Sequence, residues 1–203
     1  MDAEVVQETG MDGVTALAVA MGASWASGIR LYGAVATLGL LGRLGYIELP
    51  GSMGVVENPW VLSIAALMFV LEFVADKVPV VDSAWDAVHG FLRIPAGAVL
   101  AWSAFSNTDP AVQAIAVLLG GGLSFVAHAG KSATRLAANL SPEPFSNVAL
   151  SLFDDAAAGV GVLTAVFVPI VGMGFVALMV LAAVLFARRA AALVRSFRER
   201  RAS

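Results

Sequence analysis

The sequence predicts an all-α, polytopic membrane helix bundle of about six spans, and three observations carry that reading. The chain is 59% hydrophobic and only 13% charged, where a soluble domain is roughly 45–50% apolar and about 25% charged. Its mean hydropathy is +0.85. The apolar residues also gather into six stretches near the ~20 residues that cross a bilayer. The 203 residues read as a single transmembrane domain, with a membrane bundle over 14–190 and a basic cytoplasmic tail over 191–203. The chain has no cysteine, which excludes disulfides, thiolate metal sites and thiol nucleophiles.

The six stretches are 14–43, 59–76, 83–106, 110–135, 145–168 and 170–190. GSMGVVENP parts the first pair, KVPVVDS the second, SNTDP the third, NLSPEP the fourth and Pro169 the last. MDAEVVQETGMDG at the N-terminus is acidic and lacks the basic n-region of a signal peptide, so it reads as a short polar tail. The first stretch is longer than one straight span needs and carries Arg30 in its middle. It is expected to be strongly tilted, or broken near Gly28 into two half-helices. Asp82 or Ser83 is placed to cap the third span, because a short polar side chain satisfies free N–H groups at a helix start. Gly120, Gly121 and Gly122 lie at mid-span, where close packing or a helix break explains them better than a phosphate loop.

Lysine and arginine bias sets the orientation. Arg188, Arg189, Arg195, Arg198, Arg200 and Arg201 form one C-terminal cluster, which should be cytoplasmic and attract anionic lipid. Lys77, Lys131 and Arg135 then fall at cytoplasmic ends, Glu48, Glu57 and Asp109 face outward, and Arg43 alone is misplaced. An even number of spans puts both termini in the cytoplasm. An internal repeat is also expected. NPWVLSIAALMFVLEFVAD at 58–76 matches DPAVQAIAVLLGGGLSFVAH at 109–128, each followed by a proline-bearing loop and another helix. This reads as a tandem two-span repeat of like orientation.

Four polar stripes run inward from the cytoplasmic side. Glu72 and Asp76 stand at i and i+4. Asp82, Asp86, His89 and Arg93 follow spacings of four, three and four, which share one face because a helix turns every ~3.6 residues. His128, Lys131, Arg135 and Asn139 line the fourth span, and Asn147, Ser151, Asp154 and Asp155 the fifth. Each ionisable group at membrane depth costs roughly 2.5–3.5 kcal/mol on insertion scales, so such groups mark a functional site by default. The expected arrangement is a polar cavity between spans two to five, open to the cytoplasm, with Arg30 as a further internal charge. The repeat sets Arg93 opposite Asp155, a candidate buried ion pair. Glu72, Asp76, Asp86, His89 and His128 are also the residue types that could hold a divalent metal ion, although no HExxH or paired ExxH motif is present. Lys131 and Arg135 could hold a phosphate or anionic headgroup.

Two blocks, LEFVADKVPVVDSAWDAVHGFLRIPAGA at 71–98 and NLSPEPFSNVALSLFDD at 139–155, give the chain a resemblance over about 14–190. It resembles a family of small bacterial membrane proteins catalogued as domain of unknown function 4126. The motif positions stand intact at Glu72, Asp76, Lys77, Pro79, Asp82, Asp86, His89 and Arg93. They continue at Ser141, Pro142, Glu143, Pro144, Asn147 and Asp155. The resemblance implies a multi-pass protein of the bacterial inner membrane and carries no reaction, substrate or cofactor.

The leading functional expectation is a small transporter or channel for an ion or small polar solute, coupled to or gated by protons. Glu72, Asp76, Asp86 and Asp154 would accept the cation or proton, His89 and His128 relay it, and Arg93 and Arg30 act as internal counter-charges. The alternatives are a membrane-embedded metal-dependent or acid/base enzyme on a lipid-linked phosphate, and a non-catalytic assembly or lipid-binding factor using the basic tail. The expected partners are membrane lipids, the solute and a second copy in a homodimer; no nucleic-acid partner is expected.

Overall fold

A computed structural model describes residues 3–77, 79–139 and 144–202, with side chains for 13–77, 81, 84–86, 88–136, 138, 148–189 and 191–192. Six helices follow in order: α1 (Ala3–Arg43), α2 (Pro59–Ala75), α3 (Pro79–Ala104), α4 (Pro110–Asn139), α5 (Pro144–Phe167) and α6 (Pro169–Ala202). A short 3-10 turn at Met53–Glu57 joins the first two. Every helix after α1 starts at a proline. That position suits proline, because the first helical N–H has no intrahelical partner and the ring presets φ. Asn58 and Asp109 add side-chain caps, accepting from the N–H of Trp60 at 2.9 Å and of Ala111 at 2.7 Å. Proline also explains one departure from expectation. The third helix begins at Pro79 and not at 83, so Asp82 lies inside the first turns and is no cap.

The first helix does not run straight. Arg30 leaves helical geometry, with φ −140° and ψ 74°, and the two limbs on either side of it turn back on each other. On the first limb, Ser27 reaches Arg93 of α3, Ser24 reaches Gly97, and Leu17 and Met21 share a crevice with Ala101 and Phe105. This limb therefore climbs towards the C-terminal end of α3. On the second limb, Gly33 meets Phe69, Gly39 meets Val56 and Gly42 meets Glu57. The same 3-10 segment is tied to the C-terminal end of α3, since Ser52 N–H donates to Ser103 O at 2.8 Å. A straight helix would carry Gly39 towards the opposite end of α3.

Helix α5 gives the same answer. Gly22 and Trp25 touch Gly161, Gly33 and Thr37 share a cavity with Ala158 and Val162, and Arg30 at the turn reaches Ser151 and Asp155. The first helix is thus a hairpin with Arg30 at its tip. The expected break is real, two residues beyond Gly28. Non-helical backbone at membrane depth is tolerated where protein buries it, and Arg30 is 1% exposed.

Among the described residues four helical segments are long and apolar enough to cross a membrane: Gly13–Arg43, Pro110–Leu136, Val148–Phe167 and Pro169–Arg189. Helix α2 is apolar but only 17 residues long, and α3 carries the charged stripe. The expected six spans are therefore not reached by length and composition, and the first of the four folds back. The two matched repeat helices are also unequal, with 17 residues in α2 and 30 in α4.

The hairpin is the core of the molecule. Ala18, Ser24, Ala26 and Ser27 are fully buried, whereas Leu118 and Ile170 on the outer helices are each 75% exposed. Apolar side chains gain nothing by leaving lipid for protein, so packing rests on small residues that let backbones close up. Three small-xxx-small pairs meet here: Ser24/Gly28 on α1, Gly97/Ala101 on α3 and Gly120/Ser124 on α4. A Cβ on Gly28 would strike Ser124 O, one on Gly97 the Ser124 side chain, and one on Gly120 that of Ala101. Ser24 Oγ donates to Gly97 O at 2.8 Å and Ser124 Oγ to Arg93 O at 2.8 Å. Gly28→Leu is expected to cost at least the ~1–3 kcal/mol of an overpacked core. Gly122→Ala, which meets open space, should leave thermal unfolding in micelles unchanged.

Candidate functional site

The hairpin tip sits inside a ring of charges from the four helices that follow. Arg30 NH1 bonds Asp76 Oδ2 at the C-cap of α2, its Nε lies 2.7 Å from Asp155 Oδ1, and its NH2 donates to Ser151 Oγ at 3.0 Å. Arg93 on α3 holds Glu72 Oε1 and Asp86 Oδ1, both at 2.6 Å. Lys131 on α4 stands 3.3 Å from both Asp76 Oδ2 and Asp86 Oδ1. One helical turn further, Arg135 NH2 lies 3.3 Å from Asp76 Oδ2 and 3.2 Å from Asp154 Oδ2. Asp76 is the hub, with three cations on one oxygen. Arg30, Arg93, Glu72 and Asp76 are all 0–1% exposed. Taking such groups out of lipid and water alike is tolerable only because opposite charges compensate them at contact distance.

The helix break has a chemical consequence. Carbonyls at the end of the first limb lose intrahelical donors, and Lys131 Nζ lies 3.4 Å from Ile29 O. The His128 ring approaches the Gly28 backbone and lies 3.4 Å from Arg93 NH1. One face of the cluster is thus built from unwound backbone, carboxylates and an ammonium together.

The structure brings together Glu72, Asp76, Asp86, Arg93, Lys131, Arg135, Asp154, Asp155 and Arg30, with His128 at the edge. Three expectations change. Arg93 pairs with Glu72 and Asp86, not with Asp155, because the hairpin tip brings Arg30 to Asp155 instead. His89 stands apart, stacked on Trp85 at 4.0 Å between centroids and edge-on to Tyr32 at 5.8 Å, its Nδ1 3.0 Å from Trp85 O. The proposed metal set of Glu72, Asp76, Asp86, His89 and His128 does not converge. Among the described residues no three histidine or carboxylate side chains gather as metal ligands, since the carboxylates turn to arginine and lysine. The side chains of Asp82 and Asn147 lie outside the described residues.

The open polar cavity is corrected too. The charges pack against one another, and two cavities flank them. One of about 150 Å³ is lined by Arg30, Thr37, Phe69 and Asp155 on the side of the second limb. Another of about 360 Å³, between the first limb, α4, α5 and α6, has Lys131, Thr134 and Asp154 in its lining. Asp154 and Asp155, adjacent in sequence, thus border different cavities. Ser24, Ser27, Ser124 and Tyr32 were not singled out as site residues; the serines' small-xxx-small spacing with glycine was the available signal.

A family model described as Domain of unknown function (DUF4126) matches residues 17–189. The chain belongs to this family. No match was found among the curated proteins or the solved structures. The match brings no reaction, substrate or cofactor to this DUF4126 chain. Removing one partner of a buried ion pair strands the others. Arg93→Gln is expected to destabilise the protein by about 3–5 kcal/mol, read by unfolding in micelles, and the same change at exposed Arg188 by almost nothing.

Proposed function

We propose that this protein is a small transporter or channel for an ion or small polar solute, with passage gated by, or coupled to, protonation of the buried cluster. One observation carries the reading. A helix broken at membrane depth holds Arg30 between Asp76 and Asp155, with a cavity bordering the cluster on either side. Transporters bind their cargo at such discontinuous helices, where half-helix ends and unwound carbonyls supply fixed partial charges. Irregular backbone survives in a membrane only where protein or a wet cavity surrounds it. A chain of charged groups joins the cavities: Lys131 and Asp154 at one, then Arg135, Asp76 and Arg30, then Asp155 at the other. Partner exchange along this chain is the gate. Glu72 supplies the proton acceptor, since its Oε2 is buried without a partner among the described residues.

In reconstituted vesicles, Asp155→Asn should lower proton or ion flux at least 10-fold, a loss of about 1.4 kcal/mol or more in barrier terms, while Arg188→Ala leaves it intact. Equal flux in both variants, or none in the parent under any ion or pH gradient, would sink the proposal.

The hairpin also bears on orientation. If α1 turns back and α2 to α6 each carry the chain across, Gly13 and Ala192 lie on opposite faces. This reading replaces the even-span assignment of both termini to the cytoplasm, and it agrees with the acidic, lysine- and arginine-free N-terminus. The cysteine-free chain allows a direct check. Gly13→Cys and Ala192→Cys should react with an impermeant maleimide from opposite sides of oriented vesicles, and labelling from one side would return α1 to a crossing span.

A further inference from the structure

The larger cavity beside the cluster has the chemistry of a ligand site. Its volume is about 360 Å³, and Phe153 and Phe186 of its lining are 58% and 42% exposed. Ala127, Gly130, Ala157 and Ala183 make the room, and the walls are apolar. Three polar side chains belong to the lining: Lys131, Thr134 and Asp154.

Lys131 is a cation whose two carboxylate partners each hold a nearer one, and its third contact is Ile29 O at 3.4 Å. Asp86 has a nearer partner in Arg93 at 2.6 Å, and Asp76 has one in Arg30. Lys131 Nζ stands at 3.3 Å from both carboxylates. Asp154, the other charge in the lining, is held by Arg135 at 3.2 Å. Lys131 can therefore turn to a ligand and strip none of these carboxylates of its last cation. A lysine ammonium is also a compact point charge on a flexible stem, suited to such exchange where a forked guanidinium is not.

We infer that this cavity binds an amphiphilic anion, with its apolar tail against Trp25, Ile29 and Met179 and its single anionic head on Lys131 Nζ beside Thr134. This site is independent of the transport reading and stands or falls by its own measurement. A free carboxylate amphiphile and an anionic phospholipid share the required chemistry.

Trp25 lines the cavity and reports on it. In a Trp60→Phe, Trp85→Phe, Trp102→Phe background, quenching of Trp25 would be titrated with bromododecanoate, bromododecanol, and acyl-brominated phosphatidylglycerol and phosphatidylcholine in micelles. Saturable quenching by bromododecanoate or by the phosphatidylglycerol, at least 10-fold tighter than by its neutral counterpart, is expected. The ligand that saturates first identifies the source. Lys131→Gln should remove that preference for the anion and Lys131→Arg should keep most of it. Ala183→Phe, which fills the cavity without touching the cluster, should abolish quenching and so decides the matter if Lys131→Gln does not fold. Equal quenching by charged and neutral probes, or quenching indifferent to Ala183→Phe, means ordinary surrounding lipid and overturns the inference. Binding without flux in vesicles would overturn transport and leave this site. Flux without binding would do the reverse.

Discussion

A single arginine at a helix turn organises this molecule. Arg30 sits where the backbone of α1 reverses, and a turn of this kind inside a bilayer leaves both a charge and backbone carbonyls without their usual partners. The neighbouring helices answer each demand. Asp76 and Asp155 take the guanidinium, and Ser151 fills its remaining donor positions. Lys131 takes the freed Ile29 carbonyl. Those partners are themselves charged and buried, so Arg135, Asp86 and Arg93 follow in turn. The cluster is the closure of one local problem over five helices.

The close packing above the tip serves the same end. Carboxylates and guanidinium groups compensate each other only at contact distance, where the weak screening of a lipid-surrounded interior makes their attraction large. Gly28, Gly97 and Gly120 bring α1, α3 and α4 to backbone contact, and that contact fixes the heights of Arg93 and Lys131 relative to Arg30. The serine hydroxyls between them satisfy carbonyls of the charged stretch itself, Arg93 O among them. The apolar seam and the ionic cluster are one structure.

Much of this was legible in the sequence. Composition gave the membrane class, the linker motifs placed most helix starts within a residue while missing Pro79, and helical spacing gave nearly every member of the cluster. The misfit of Arg30 inside an overlong apolar stretch announced a break. Pairing was less legible. Periodicity continues through Arg30, because one residue alone leaves helical geometry, so nothing in the pattern distinguishes a kinked span from a hairpin. Without the hairpin, Arg93 and Asp155 look like natural partners, and a cavity between α2 and α5 looks empty. His89 fails for a different reason. It shares the charged face by spacing, but the flat rings of Trp85 and Tyr32 offer a stacking position that no periodic argument contains.

The last helix stands outside this economy. Helix α6 contributes no ion pair among the described residues, and it meets the rest through Gly172 on the Ala165 backbone, through Phe175, Val176, Met179 and Val180 at the core, and through Ala183 beside Gly130. Leu178, Leu181 and Leu185 face outward, about half exposed or more. Among the described residues α6 thus joins the bundle by apolar packing alone, so a substitution along it changes fit without stranding a buried charge of the cluster.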